Sequence, residues 1–163
     1  MPELSRIEAD GKARMVEVAK KPETLREAVA RGALRVRPET LQLVASGGLP
    51  KGDVLTVARI AGIIAAKETP RLIPLCHPVS ITGAEVDLQL NEKRSRIEIT
   101  ARVKAVGRTG VEMEAMTAVA AAALTLYDMV KAVDRDALVE EIGLEYKSGG
   151  KSGVFQRDNS RNP

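Results

Sequence analysis

Asp128 and Lys131 stand one helical turn apart near the end of an apolar stretch that opens with Glu112 and Glu114. A carboxylate beside an ammonium can orient a proton donor or balance an anion. At roughly 100° per residue, Asp128 falls about 40° around a helix from Glu114, and Lys131 follows on the same broad face. Acids at a helix start and a lysine near its end also suit the helix dipole, which offers a purely structural account. Between them, however, runs Ala118-Val119-Ala120-Ala121-Ala122-Ala123-Leu124, apolar almost all round, and a helix of that kind is buried. Charged groups there need a partner or a purpose. The helix between Glu114 and Asp128 spans about 21 Å, too far for one small reacting centre to touch both. Either an extended ligand is held in two regions, or different subunits complete each site. The alanine-rich face permits close approach and favours the second.

His77, the only histidine, sits in Ile73-Pro74-Leu75-Cys76-His77-Pro78. The flanking prolines favour extended backbone and remove two donors, so the loop is stiff. It would present His77 to a ligand or simply pack it. A structural zinc is disfavoured, because Cys76 is adjacent and no second Cys or His exists. Lys51-Gly52-Asp53 leads into a helix start, where free N–H groups attract anions. Lys147-Ser148-Gly149-Gly150-Lys151-Ser152-Gly153 looks like a phosphate loop but fails the test: Glu145 stands where its first glycine belongs, and no helix follows. It reads as a Lys-bearing flap over phosphates or as a plain tail.

The elements that must position these groups follow from periodicity. Ala13–Val18 and Ala28–Arg37 alternate as strands; Pro38 opens a short helix to Ser46, ended by Gly47-Gly48. Asp53 is a candidate N-cap for a helix Val54–Lys67, stopped by Pro70. Ile81–Leu90 and Arg96–Val106 alternate around a hairpin at 91–95, a helix spans Glu112–Val133, and Val139–Tyr146 is a last strand. The core order is that of an α+β, ferredoxin-like βαββαβ fold: one mainly antiparallel sheet with helices on one face, plus an extra N-terminal strand and short helix. The 163 residues form a single domain with mobile ends at about 1–12 and 149–163.

Composition narrows the function. With 44% apolar and 29% charged residues the chain is an ordinary globular one. Its net charge of +3 comes without a basic run, and Phe155, Tyr127 and Tyr146 are the only aromatics, which disfavours nucleic-acid binding. No apolar run approaches the roughly 18 to 20 residues of a membrane span, and the start of the chain shows no secretory signal. The lone Cys76 agrees with a reducing compartment, the cytoplasm.

Seven stretches are similar to segments of the molybdenum cofactor biosynthesis protein C family, in the family's order. They are Lys51-Gly52-Asp53-Val54, Ala58-Arg59-Ile60-Ala61-Gly62, Leu72-Ile73-Pro74-Leu75-Cys76-His77-Pro78, Thr109-Gly110-Val111-Glu112-Met113-Glu114-Ala115, Leu124-Thr125-Leu126-Tyr127-Asp128-Met129, Lys131-Ala132-Val133 and Lys147 to Gly153. The resemblance implies a cytoplasmic phosphorus-oxygen lyase. Its substrate would be a small nucleotide, (8S)-3′,8-cyclo-7,8-dihydroguanosine 5′-triphosphate, supplied by an upstream radical SAM enzyme. Its products would be cyclic pyranopterin monophosphate and diphosphate. It also implies a homohexamer, a trimer of dimers, with active sites at subunit interfaces.

By the same resemblance, Asp128, Lys51 and Lys131 are catalytic. Leu75, Cys76, His77, Met113 and Glu114 contact the substrate, joined by Glu112, Lys147, Arg26 and Glu17, the last standing where the family has Asp. No tightly bound cofactor, protein-held metal, nucleic acid or membrane is expected; Mg2+ can accompany the triphosphate and diphosphate. Rebuilding a purine-derived ring needs protons moved on and off nitrogen and oxygen. A lysine does that near neutral pH only when its pKa is depressed from about 10.4. Lys51 and Lys131 are therefore expected to be so tuned. A regulatory binding domain, and another nucleotide lyase or cyclase on the same fold, are the competing readings.

Overall fold

The computed structural model describes residues 11–161. On β3 (Arg96–Gly107) the side chains of Ile97, Ile99, Ala101, Val103 and Ala105 are buried while their neighbours face outward, so a period of two has become a one-sided sheet. β3 pairs antiparallel with β2 (Ser80–Asn91) through a tight hairpin and with β1 (Thr24–Arg35) on its other side. β4 (Leu138–Ser148) lies antiparallel to β1, and a two-residue β5 (Phe155–Gln156) pairs with β4, giving the order β2-β3-β1-β4-β5. The first four strands follow the expected split β-α-β arrangement.

Three helices join them: α1 (Pro38–Ser46), α2 (Val54–Leu72) and α3 (Glu112–Val130). α3 packs on β1, β3 and β4, and α2 packs on β2 and along α3. Gly62 makes that crossing tight: a Cβ there would lie 3.0 Å from the Ala118 carbonyl and 2.9 Å from Val86. The core at this junction consists of small side chains, with Ala58, Ala66, Ala115, Ala118 and Ala122 wholly buried. α3 has 19 residues and a mean hydropathy of 1.3, so by length and composition it could cross a membrane, contrary to the expectation from apolar runs. Half of it is buried against the sheet and α2, as a core helix requires.

Four element assignments change. The expected strand Ala13–Val18 keeps only an isolated bridge at Ala13; Met15 is exposed, Val16 and Val18 are half-buried, and a turn from Val18 to Lys21 follows. Two side chains bury too little to hold another strand. β1 begins four residues early, because β3 extends to Gly107 and offers Thr24 a partner. α2 runs through Pro70 to Leu72: a proline so near the end costs one hydrogen bond, and Thr69 turns its hydroxyl back to the Ala65 carbonyl at 2.8 Å. Of the ends expected to be mobile, residues 1–10, 162 and 163 lie outside the described residues, while 149–161 folds back as a turn, β5 and a short 3-10 turn.

Candidate functional site

The candidate residues form two groups, one at each end of α3. At the C-terminal end Asp128 is bonded by both lysines. Lys131 Nζ lies 2.8 Å from Oδ1, one turn on. Lys51 Nζ lies 2.8 Å from Oδ2 and also donates to the Asp128 carbonyl at 3.0 Å. Lys51 arrives there because Gly47, in the left-handed region, ends α1, buried Leu49 anchors the connection, and the Gly52 N–H closes a turn on the Leu49 carbonyl. Asp53 then caps α2 as expected, accepting from the Thr56 N–H at 3.1 Å.

The hydrogen bonds from Lys131 and Lys51 hold the Asp128 carboxyl down at about 2. The hydrogen bond to Asp128 in turn raises the Lys131 pKa above the ordinary lysine value. This is opposite to the depressed lysine that proton exchange near neutral pH requires. A carboxylate is in contact with Lys131, whose side chain is 52% exposed, so burial does not favour its neutral amine.

At the other end, Glu114 is only 1% exposed. Its Oε1 accepts from Cys76 Sγ at 3.6 Å, and its Oε2 is buried without a hydrogen-bond partner among the described residues. Burial pushes its carboxyl above the usual range, and the nearby Glu112 charge adds to the shift. Cys76 comes from the proline-flanked loop between α2 and β2, with Leu75 and His77 half-buried on either side; Met113 is half-buried between the two glutamates. Lys147 Nζ lies 3.9 Å from Glu112 Oε1 and donates to Ser152 Oγ. Arg26 Nε donates to the Gly107 carbonyl at 3.4 Å.

The Lys147–Gly153 segment, expected as a flap or tail, is the turn between β4 and β5. Gly149 and Gly150 have φ of 96° and 78°. A Cβ at Gly150 would lie 1.8 Å from Arg26 Nη1, so this turn rests on the Arg26 guanidinium as only glycine allows. Glu17 is exposed, and its hydrogen bond is local, from the Ala19 N–H at 2.7 Å.

The fold thus unites Lys51, Asp128 and Lys131, and gathers Cys76, Glu112, Glu114, Lys147 and Arg26 by neighbouring contacts. It does not unite the two groups within one chain, since about 21 Å of unbroken α3 separates Glu114 from Asp128. A concavity of about 400 Å³ lies on the opposite face of the sheet among Arg31, Thr100 and Glu141, and none of the candidates lines it. Among the described residues no three His, Cys, Asp or Glu side chains gather as a metal site.

Sequence reasoning missed Ser152 as the partner of Lys147, and it missed Asp134. A signal for Asp134 was present: α1 opens at Pro38 after Arg37, whose side chain makes no cap, so the start of the helix is left to other elements or solvent.

Residues 15–150 match the family model described as the MoaC family. The chain is 60% identical over 158 residues (97% of this chain, 95% of the relative) to the cyclic pyranopterin monophosphate synthase of Thermomicrobium roseum. It is 58% identical to that of Pelotomaculum thermopropionicum over 157 residues, 96% of this chain and 92% of the relative. It is 58% identical to that of a Roseiflexus species over 158 residues, 97% of this chain and all of the relative.

Proposed function

The chain belongs to the MoaC family, and we propose a division of labour in which the two ends of α3 serve one reaction from different subunits. The protein is a lyase of molybdenum cofactor biosynthesis. It converts (8S)-3′,8-cyclo-7,8-dihydroguanosine 5′-triphosphate to cyclic pyranopterin monophosphate and diphosphate. In this reading an upstream radical SAM enzyme supplies the substrate, and the reducing cytoplasm keeps Cys76 a thiol.

The observation that carries the reading of the site is the Lys51–Asp128–Lys131 cluster, a carboxylate held ionised between two ammonium groups. Asp128 orients both amines toward the reacting nucleotide. Lys131, held protonated at neutral pH, serves as proton donor and as a cation beside developing negative charge. At the other end Cys76 and His77 face the base-derived ring, and buried Glu114 supports them through its contact with Cys76. Arg26 and Lys147 face the phosphates, where charge-assisted bonds stabilise the departing diphosphate. Any Mg2+ would be carried by the polyphosphate oxygens.

A homohexamer, a trimer of dimers, completes each site. Its support is the helix length above, together with apolar side chains that one chain leaves uncovered: Val57, Ile60 and Ile64 on one face of α2, and Leu124 on α3, all between 43% and 63% exposed. The test is turnover of the cyclised nucleotide by the purified protein, followed by pterin formation and diphosphate release. One diphosphate per pterin is expected. Activity on GTP alone, without the cyclised intermediate, would overturn the assignment.

A further inference from the structure

The cluster at the end of α3 is supported from an unexpected side. Asp134, four residues past the end of α3, is 1% exposed. Its Oδ2 accepts from the Arg37 backbone N–H at 2.8 Å and from Thr40 Oγ1 at 3.0 Å. Its Oδ1 lies 3.6 Å from Arg37 Nε, a charge contact beyond hydrogen-bond reach. The Arg37 guanidinium returns a hydrogen bond to the Val133 carbonyl. Asp134 therefore anchors the start of α1 from another element, through the N–H of Arg37 just before the helix and the Thr40 hydroxyl in its first turn. Its own N–H bonds the Val130 carbonyl at 2.9 Å, so the anchor is tied directly into the last turn of α3.

The far end of α1 leads, through Gly47 and buried Leu49, to Lys51, and Lys51 returns to Asp128. α1 and its flanks thus form a closed loop on α3. One end is fixed by Asp134, and the other delivers an amine to the carboxylate six residues earlier. Leu41 and Val44 hold α1 down by apolar burial, but that attraction is not directional and tolerates sliding along the contact. Hydrogen bonds to a buried carboxylate do not, because each has a narrow range of length and angle.

We propose that Asp134 is a positioning residue for the reaction: by anchoring the start of α1 it sets the register of the segment that presents Lys51 to Asp128 and Lys131. The inference rests on the assignment of Lys51 to the catalytic cluster. Misplacement of a catalytic group by about 1 Å from a distant change can cost on the order of 100-fold in rate, so a partial loosening should be visible.

The test compares Asp134→Ala, Asp134→Asn and Thr40→Val with Lys51→Met, all assembled and assayed well below their melting temperatures. Two readouts are used: steady-state kinetics, and competitive acetylation of Lys51 measured by peptide mass spectrometry against the exposed Lys67. Asp134→Ala should lose about 10-fold or more in kcat with KM little changed, and Lys51 should acetylate several-fold faster as it leaves Asp128. Asp134→Asn, which keeps an acceptor for the Arg37 N–H and Thr40, should recover most of both. Thr40→Val, which loses one donor and keeps the fold's volume, should fall between, and it carries the test if Asp134→Ala does not fold. Full kcat, or reduced kcat with unchanged Lys51 labelling, would overturn the proposal, since a residue that only stabilises the fold moves neither readout in this pattern. If Lys51→Met itself keeps full kcat, the catalytic assignment fails, and the labelling pattern alone then decides whether Asp134 positions Lys51.

Discussion

Lys51 and Asp128, 77 residues apart in the chain, meet at 2.8 Å, and Lys51 bonds the backbone carbonyl of Asp128 as well as its carboxylate. Both bonds fall on one residue, so the amine is fixed in direction and not only in distance. Lys131 occupies the other carboxylate oxygen. The three groups act as a unit, and removing any one changes the field on the other two.

Replacing Lys51 or Lys131 with Met should leave folding and assembly intact, because the stem retains its packing. Turnover should fall by about 10² to 10⁴, the usual contribution of a positioned acid or base. Lys147→Met should instead raise KM more than it lowers kcat. Steady-state kinetics of the three variants separates the roles. If the first two lose only affinity, both lysines hold phosphate and neither moves a proton. Since Lys131 is raised rather than depressed, the alkaline limb of kcat/KM should fall only as pH passes the ordinary lysine value of 10.5.

The Asp128 pair should leave a signature in stability against pH. Its folded pKa of about 2 lies below the ordinary 3.8, so its stabilisation is present above 3.8 and lost as pH falls toward 2. The melting temperature of the native protein minus that of Asp128→Asn should be constant above about pH 4 and shrink below it. The effect should be modest, because the pair is exposed and salt screens it. A difference independent of pH would refute the coupling.

Glu114 should behave with the opposite sign. Its folded pKa is raised above 4.5 by burial, so stability declines as pH climbs from that value toward the raised one. Glu114→Gln should flatten this decline, which thermal melts between about pH 4 and 8 would register. An unchanged slope would mean that the carboxyl is not titrating in its buried position.

Most of the frame was legible because it rests on local periodicity. The alternation along Arg96–Val106, the cap at Asp53 and the apolar length of α3 each signal an element directly. The site was legible only as residue types and as a helix too long for a single centre. That Lys51 reaches Asp128, or that Arg26 lies under Gly150, depends on strand register and on a connection after α1, and no periodicity encodes either. Lys131 departs from the expected depressed pKa because the ion pair with Asp128 favours the charged amine, an effect no spacing in the sequence weighs against burial. β5 was invisible because two residues paired only with Tyr146 and Lys147 make no pattern.

Shared sites make a prediction for mixed assemblies. Light scattering should give a mass of six chains, and subunits lacking Lys51 mixed with subunits lacking Lys147 should regain activity after reassembly. Assayed well below the KM of the unaltered protein, where both defects show, neither variant alone should match the mixture, because an interface between unlike subunits can hold one intact copy of each end. Full activity in a monomer, or no recovery on mixing, would show that the two ends of α3 do not cooperate across subunits.

The backward fold of residues 149–161 has a consequence for solubility. Without it β4 would be an edge strand, presenting unpaired main-chain groups to any other extended chain. β5 covers Tyr146 and Lys147; Arg157 bonds the Leu144 carbonyl through its side chain at 2.7 Å and the Glu145 carbonyl through its backbone at 2.8 Å. The same segment whose opening turn rests on Arg26 therefore acts as a guard against edge-to-edge association. A chain shortened to end at Ser148 should lose nucleotide affinity and aggregate on standing, two defects from one cut.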